Sequence, residues 1–363
     1  MKKYLLAFCF VLFTALTCLF LIIGPKSNYS ENEKRYLAEM PEFSTKKFLS
    51  GEYYQAFSSF LRDRIPNRDL YVGINAYTNL ALGKNASNKV YFSKDGYLIN
   101  APEEYTAESF EKNIDNFEAF SQLTNVPSKL IIVPHTGYVL EDKLPVLAKA
   151  YNDAELFCIA DRKTNYVEFE DITDVLKNKD GQVFYKTDHH LTSYGNYLLY
   201  RHLSSKEETE YKKESFNNFY GTTRSSSGYF LAKPDNIELW YDSNSYTVTV
   251  YKDGVTGEEY DALFFKEHLK NDDKYPVFLN GNQPLVKIEN NTEGEKNLLI
   301  IRDSFAQGLA PFLARDYKNI YLVDMRYYRK KVSELITENK IDEIIYIYGI
   351  NTLLTDTSSA WLM

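Results

Sequence analysis

The sequence has few cysteines, and their positions exclude a disulfide-stabilised fold. Only three of the 363 residues are cysteine, and two of them, Cys9 and Cys18, lie in an apolar segment at the N-terminus. Cys158 is the single thiol of the remaining chain, so no intrachain disulfide can form there.

Excess positive charge is absent, and histidine is scarce. The chain carries 42 Lys and Arg against 50 Asp and Glu, a net charge of -8, and it has no basic run. This balance disfavours a nucleic-acid partner. His189 and His190 directly follow Asp188 and could be metal ligands, but the three other histidines show no ligand spacing relative to this pair. We therefore predict no metal and no cofactor.

The first residues predict a membrane anchor. Tyr4 to Ile23 contain no charged side chain, and a helix of that length spans about 30 Å, enough to cross a bilayer. No small-residue cleavage site follows, which favours an uncleaved signal-anchor over a cleaved signal peptide. Lys2 and Lys3 favour a cytoplasmic N-terminus, so the bulk of the chain is expected outside the cytoplasm. We assign residues 1–25 to this helix and residues 26–50 to a polar linker.

The last seventy residues predict a βαβαβ unit within one α/β domain, residues 51–363. Such a unit gives parallel strands joined by right-handed crossovers. Residues 206–295 have a different sequence pattern, in which segments of alternating apolar and polar residues are separated by turns. We interpret them as a β-rich insertion. The predicted elements of the unit are strand Leu298–Ile301, helix Phe305–Ala314, strand Ile320–Val323, helix Val332–Asn339 and strand Ile344–Tyr348.

Upstream segments predict further elements of the same sheet-and-helix domain. Val90 to Ile99 reads as a β-hairpin that turns on Asp95-Gly96, and Leu130 to Val133 as a short buried strand. Thr192 can cap a helix that runs through Leu203. An amphipathic helix is predicted from a stripe of apolar residues at helical spacing: Phe110, Ile114, Phe117, Phe120 and Leu123.

Two polar residues follow strands of the predicted βαβαβ unit. Ser304 comes after its first strand and Asn351 after its third. In a 2-1-3 strand order these two strands are neighbours, about 5 Å apart. Both side chains would then overhang one crevice at the carboxyl edge of the sheet, where open α/β sheets bind ligands.

Asp188, His190 and Ser304 supply the parts of a serine-type acyl-transfer site. A serine hydroxyl needs a base to accept its proton, and His190 could be that base while Asp188 fixes its tautomer. The two-residue spacing of Asp188 and His190 suits an extended loop. Backbone N–H groups at the helix N-terminus and the Asn351 amide could stabilise an oxyanion. His189 and Arg302 are further candidates for substrate or oxyanion contacts.

Each of these residues also has an ordinary structural interpretation. Asp303 or Ser304 could simply cap the helix that follows, which is a common role at that position. Asn351 could cap a turn, and His189 could be a structural hydrogen-bonding residue. The sequence leaves these alternatives open.

Several segments of the sequence together match a known pattern. They are Tyr185-Lys186-Thr187-Asp188-His189-His190-Leu191-Thr192 with Gly195, Asn32 to Arg35, Asp63 to Arg68, the Val90–Ile99 hairpin and Ile301 to Phe305. In these segments the sequence resembles the bacterial DHHW proteins, which are similar to the SGNH-hydrolase-like alginate O-acetylation proteins. Leu191 stands where the family usually has tryptophan, and Arg302 and Thr352 replace a glycine and an aspartate of the broader SGNH pattern. The resemblance implies an SGNH-hydrolase-like (flavodoxin-like) parallel sheet, an Asp188–His190 pair and a Ser304 nucleophile.

The resemblance also implies a function. We expect a membrane-anchored, extracytoplasmic O-acetyltransferase that modifies a cell-envelope or secreted polysaccharide through an acyl-Ser304 intermediate. The expected acyl donor is a multipass membrane-bound O-acyltransferase partner, because acetyl-CoA is not available outside the cell. Two alternatives stay open: a carbohydrate O-acetyl esterase with the same triad, and a non-catalytic envelope scaffold or glycan-binding protein.

Overall fold

The chain divides into two compact units. The computed structural model describes residues 2–23, 29–30, 35–65, 67–177, 180–292 and 294–362. The small unit contains residues 1–88 and 224–231, and the large unit contains residues 89–223 and 232–363. The sequence boundaries at residues 25 and 50 stay predictions.

The bounds of the strands and helices are as follows. The strands are β1 (Tyr29–Ser30), β2 (Arg35–Tyr36), β3 (Ala86–Ser87), β4 (Val90–Phe92), β5 (Leu98–Asn100), β6 (Ser128–Val133), β7 (Val167–Glu170), β8 (Lys212–Phe219), β9 (Asp235–Tyr241), β10 (Tyr246–Tyr251), β11 (Gly257–Tyr260), β12 (Leu285–Asn290), β13 (Asn297–Arg302), β14 (Asn319–Val323) and β15 (Glu343–Gly349). The helices are α1 (Lys2–Ile23), α2 (Thr45–Ser50), α3 (Glu52–Arg64), α4 (Arg68–Ala81), α5 (Ala107–Thr124), α6 (Thr136–Val139), α7 (Asp153–Lys163), α8 (Thr173–Lys177), α9 (Ser193–Leu203), α10 (Thr222–Ser227), α11 (Ala306–Leu313), α12 (Val332–Asn339) and α13 (Ile350–Thr355).

The large unit is an α/β fold built on a mixed central sheet. Within the described residues this sheet has eight strands in the order β11-β10-β12-β14-β13-β15-β6-β7. The five strands β14, β13, β15, β6 and β7 run parallel to one another. The predicted βαβαβ unit is present, and β13 lies between β14 and β15, which is the 2-1-3 order. Ser304 and Asn351 therefore follow adjacent strands.

The predicted β-rich insertion is largely part of the central sheet. Strands β10, β11 and β12 extend the sheet beyond β14 by antiparallel pairing. Of the described strands in residues 206–295, only β8 and β9 pair as a separate two-stranded sheet. The prediction of a parallel sheet with a β-rich insertion is therefore wrong at this edge. Sequence alternation indicated β structure in residues 206–295 but carried no information about strand partners.

Apolar cores cover both faces of the sheet. In β13, Leu298 and Ile300 contribute to one core, and Leu299 and Ile301 contribute to the other. Helices α9 and α11 pack on the first face, and α5, α7 and α12 pack on the second. Burial on both sides explains why the central strands read as continuous apolar runs instead of alternating patterns.

The predicted hairpin and amphipathic helix are both present. Strands β4 and β5 pair antiparallel, and Asp95 turns the chain with a φ of 57°. Helix α5 buries its apolar stripe with one exception, because the Leu123 side chain is 67% exposed. At 100° per residue, Leu123 lies roughly 120° from the centre of the buried stripe, so its assignment to that face was wrong.

The N-terminal segment lies in the small unit. Helix α1 includes the apolar run from Tyr4 to Ile23. Across the described residues, no helix has the length and apolar character required to cross a membrane, so the predicted transmembrane helix is not supported. The predicted linker includes helix α2. Residues 26–28 and 31–34 of the linker lie outside the described residues, and so do Asn32 to Lys34, which form part of the family resemblance.

The aromatic contact between α5 and the sheet yields a stability prediction. Phe117 is fully buried, and its ring stacks on Tyr346 of β15 at 4.5 Å between centroids. We expect Phe117→Ala to lower the free energy of unfolding by about 3–5 kcal/mol, because truncation leaves a cavity against the sheet. Chemical denaturation would measure this loss. Lys112→Ala, on the exposed face of the same helix, should leave the unfolding midpoint nearly unchanged; equal losses in both variants would contradict the assigned packing.

Candidate active site

Ser304 lies in the turn between β13 and α11, and this turn is braced by Asp303. Asp303 Oδ1 accepts a hydrogen bond from the Phe305 amide at 2.9 Å. Its Oδ2 accepts from the Gly349 amide at 2.8 Å and from the Thr352 hydroxyl at 2.7 Å. Asp303 is 1% exposed, and burial raises its pKa. The carboxylate of Asp303 thus ties the turn to the end of β15.

The Ser304 side chain has a different partner and does not cap α11. Its Oγ lies 2.8 Å from His190 Nε2, although the two residues are 114 positions apart in the chain. His190 Nδ1 lies 2.5 Å from Asp188 Oδ1. The three groups form one continuous hydrogen-bonded chain from carboxylate to imidazole to hydroxyl. This is the arrangement in which an imidazole can accept the serine proton.

Both oxygens of the Asp188 carboxylate accept hydrogen bonds. Its Oδ1 also accepts from the His190 amide at 3.0 Å, and its Oδ2 accepts from the amide and hydroxyl of Thr222 at 2.7 and 2.9 Å. Burial opposes ionisation, but the charge of His190, the hydrogen bond from its ring and the Thr222 amide hold the pKa of Asp188 well below its usual range. A Cβ on Gly221 would approach the Asp188 Cβ to 2.2 Å, so Gly221 makes room for this carboxylate.

Aromatic rings enclose His190. The Tyr275 ring stacks on the imidazole at 3.8 Å with an interplanar angle of 14°, and the Phe305 ring lies 5.1 Å away. The Tyr275 hydroxyl donates to the Ser304 carbonyl at 3.3 Å. The His190 side chain is 7% exposed. Leu191, at the position where DHHW proteins usually have tryptophan, is also buried.

His189 lies at the mouth of the site. Its side chain is 37% exposed, and its Nδ1 lies 3.1 Å from the Thr222 hydroxyl. Since that hydroxyl donates to Asp188, it accepts the Nδ1–H of His189. Partial burial and the adjacent His190 charge lower the pKa of His189 to about 4, so the ring is neutral at pH 7. His189 can thus donate a hydrogen bond or pack against a ligand without adding charge.

Metal binding at this cluster would compete with the serine relay. Ligand atoms of Asp188, His189 and His190 lie within 4.8 Å of one another. Both ring nitrogens of His190, however, are already hydrogen-bonded to Asp188 and Ser304. The absence of a metal stays a prediction.

A cavity of about 240 Å³ opens beside Ser304. Asn351 lines it, as predicted from its position after β15, and so does His189. The Asn351 Oδ1 lies 2.8 Å from His135 Nε2. His135 follows β6, the strand next to β15, and it also lines this cavity.

Arg302 does not line the cavity beside Ser304. Its side chain is fully buried at the end of β13, where Nη1 donates to Asn282 Oδ1 at 3.0 Å and lies 3.9 Å from Asp324 Oδ2. Burial lowers the pKa of its guanidinium. Because Arg302 ends the strand on an interior face, it supports the loop around Asn282 and does not line the cavity of Ser304. This placement argues against the predicted substrate or oxyanion contact.

A comparison with known protein families tests the resemblance to the DHHW proteins. Residues 166–323 match the DHHW protein family. This match includes Asp188, His190 and Ser304, and it confirms the resemblance to DHHW and related proteins. It does not include His135 or Asn351. No curated protein matches the chain.

Two solved structures with TM-scores above 0.6 share the fold of this DHHW-matching chain, and a third is less similar. A DHHW family protein from Eubacterium siraeum is 19% identical, with a TM-score of 0.64 over 76% of this chain and 95% of that one. Bacillus cereus PatB1 with a sulfonyl adduct is 22% identical, with a TM-score of 0.63 over 74% of this chain and 97% of that one. The O-acetyltransferase domain of Pseudomonas putida AlgJ is 14% identical, with a TM-score of 0.46 over 74% and 92%.

The sequence missed several residues of the site. Thr222 and Tyr275 lie in the segment interpreted as an insertion, and neither belongs to a recognisable motif. His135 carried a usable signal, because it follows the predicted strand Leu130–Val133 and therefore reaches the same edge as Ser304.

The hydrogen-bonded chain predicts a reactive hydroxyl at Ser304. We expect phenylmethanesulfonyl fluoride to attach to Ser304, and His190→Ala to slow the reaction by about 100-fold or more, because the hydroxyl then lacks its base. Mass spectrometry of the labelled peptide would locate and time the adduct. Ser205→Ala, which changes an exposed serine, should label normally. Equal labelling rates in wild type and His190→Ala would refute an activated serine.

The Asp188 pKa predicts an acid-dependent stability. A carboxyl with a lowered native pKa stabilises the fold above its unfolded-state value of about 3.9, and this contribution is lost as the pH falls through the native pKa. We expect the excess stability of the wild type over Asp188→Asn to shrink between about pH 5 and pH 3. Urea unfolding at several pH values would measure it. A difference that stays constant over this range would show that the native fold does not lower the pKa of Asp188.

Proposed function

We propose that the chain is a Ser304-dependent O-acetyltransferase of an SGNH-hydrolase-like type that acts outside the cytoplasm on a cell-envelope or secreted polysaccharide. The observation that carries this proposal is the continuous Asp188–His190–Ser304 hydrogen-bonded chain at a cavity on the carboxyl edge of the sheet. The buried Tyr275 ring stacks on the imidazole and holds it in place, so the hydroxyl is oriented before a substrate binds.

The proposed reaction has two half-reactions that use the same groups. Ser304 Oγ attacks the acyl carbonyl of the donor while His190 Nε2 takes its proton, and that proton then passes to the departing group of the donor. In the second half, a sugar hydroxyl attacks acyl-Ser304 and gives its proton to His190 Nε2. The acyl–Oγ bond breaks, the Ser304 oxygen recovers the proton, and the acetylated sugar leaves. Asp188 holds the Nδ1–H tautomer throughout.

Two comparisons with known proteins support the proposal of an activated serine. PatB1 was solved with a sulfonyl adduct, and sulfonyl groups attach to activated nucleophiles such as a base-assisted serine hydroxyl. The DHHW match covers the three residues of the hydrogen-bonded chain. The acceptor we propose is a polysaccharide, and the donor a multipass membrane-bound O-acyltransferase that supplies acetyl groups from the cytoplasm. A signal-anchor at residues 1–25 belongs to the same proposal.

An esterase is the second candidate, and the exposure of the cavity to solvent supports it. Asn351 is exposed where it lines the cavity, so water could reach an acyl-Ser304 as readily as a sugar could. Transferase and esterase differ only in which nucleophile attacks the acyl-enzyme. A non-catalytic scaffold would need none of these groups.

Acetyl transfer by the purified full chain separates the three candidates. With p-nitrophenyl acetate as donor and a cell-wall oligosaccharide as acceptor, we expect acetylated sugar, and Ser304→Ala should lower its formation by about 10⁴-fold because the nucleophile is lost. Mass spectrometry of the sugar and release of p-nitrophenol would be measured together, with Ser205→Ala as the control. Free acetate without acetylated sugar would favour the esterase. Wild-type formation of acetylated sugar and p-nitrophenol no greater than that of Ser304→Ala would favour the scaffold.

A further inference from the structure

Three adjacent parallel strands place a polar residue at the same position beyond their ends. β13, β15 and β6 are neighbours in that order, and they end at Arg302, Gly349 and Val133. Two residues further along each chain segment stand Ser304, Asn351 and His135, and all three line the same cavity. The sheet therefore presents His135 beside Asn351, and Asn351 beside Ser304.

His135 belongs to a second carboxylate–imidazole pair. Its Nδ1 lies 2.8 Å from Asp153 Oδ2, and its backbone amide donates to Asp153 Oδ1 at 2.7 Å. Asp153 is fully buried at the start of α7, and the His135 side chain is 8% exposed. The pair repeats the local geometry of Asp188 and His190, in which the carboxylate also accepts from both the ring and the backbone amide of the histidine. Its far nitrogen meets an amide instead of a hydroxyl.

His135 engages one end of the Asn351 amide. Asn351 Oδ1 lies 2.8 Å from His135 Nε2, while His135 Nδ1 faces the Asp153 carboxylate. The carbonyl oxygen of Asn351 is thereby occupied, and its NH₂ group is the end available to the cavity. With the amide reversed, Oδ1 would face the cavity and repel an oxyanion.

The His135 ring is itself held from another side. The Tyr151 ring lies 5.3 Å from it, and the Tyr151 hydroxyl donates to the Asn100 carbonyl at 2.6 Å. A Cβ on Gly137 would come within 2.2 Å of the Tyr151 ring, so glycine at this position allows the ring to approach. Asp153 and Tyr151 together leave the imidazole little freedom to turn.

We propose that Asp153 and His135 are positioning residues that hold the Asn351 side chain with its NH₂ group directed at the oxyanion formed on Ser304. This inference rests on the proposed acyl-transfer function and assigns how its oxyanion donor is oriented. A donor fixed before the reaction stabilises developing charge without reorganising in the transition state.

Two substitutions of His135 separate this role from a structural tie between β6 and α7. Asparagine retains a donor near the Nδ1 position and can keep the bond to Asp153, but it cannot reach Asn351. Glutamine retains a donor near the Nε2 position and can keep the bond to Asn351. Hydrolysis of p-nitrophenyl acetate by the full chain is the assay, with kcat and KM determined separately and the folding of each variant checked by thermal unfolding.

The expected pattern is specific to positioning. Asn351→Ala should lower kcat by about 10²–10³-fold with little change in KM, the effect of losing one oxyanion donor. His135→Asn should lower kcat by at least about tenfold, and it should have no further effect in the Asn351→Ala background, because the two residues act as a unit. His135→Gln should stay within about tenfold of the wild type, since it restores the donor to Asn351.

The possible failures are distinguishable. An unchanged kcat in His135→Asn, or additive losses in the double variant, would overturn the positioning role while the proposed function stands. Unreduced activity in Ser304→Ala would remove the proposed function and this inference with it. If His135→Asn does not fold, His135→Gln decides: a loss of kcat as large as that of Asn351→Ala would overturn the positioning role.

Discussion

The hydrogen bond between the buried Asp188 carboxylate and the His190 imidazole is the interaction on which the site depends. A carboxylate at 1% exposure is unfavourable unless donors and positive charge compensate it. Here the compensation comes from the His190 ring and amide and from the amide and hydroxyl of Thr222. The same contacts that make the charge tolerable also fix the ring of His190, so the stability of the loop and the orientation of the base have one origin.

The central sheet brings this loop to Ser304. Apolar cores on both faces hold β13, β15 and β6 side by side, and the turns beyond their ends must then share one edge. The Asp303 carboxylate joins two of these turns through Gly349 and Thr352. Residues from distant parts of the chain thus meet because strand ends coincide, and the polar contacts refine positions that the sheet has already set.

Most of the sheet and the main residues of the site followed from local sequence. Apolar runs and their spacing identified β13, β14 and β15, and the 2-1-3 order placed Ser304 beside Asn351. Pairing could not be derived where it depends on distant partners: β10 to β12 alternate like any edge strands, and nothing local states that β12 joins β14. Tyr275 and Thr222 reach the site for the same reason, through loops whose paths are set by packing. Arg302 was a candidate because it stands at the first glycine of the SGNH pattern, just before Asp303 and Ser304, but its side chain is buried at the end of β13 and does not line the cavity.

The stacking of Tyr275 on His190 limits how the imidazole can move. One face of the ring is covered at 3.8 Å, and the Phe305 and His189 rings lie 5.1 and 4.0 Å away, so the imidazole has little room to turn about its Cβ–Cγ bond. In the proposed reaction the same nitrogen, Nε2, would therefore carry the proton in each direction, and incoming and outgoing groups would approach it along the ring plane. The direction from which an acceptor hydroxyl approaches Nε2 would then matter as well as its affinity. A hydroxyl that can reach the ring only from above its plane would bind without reacting.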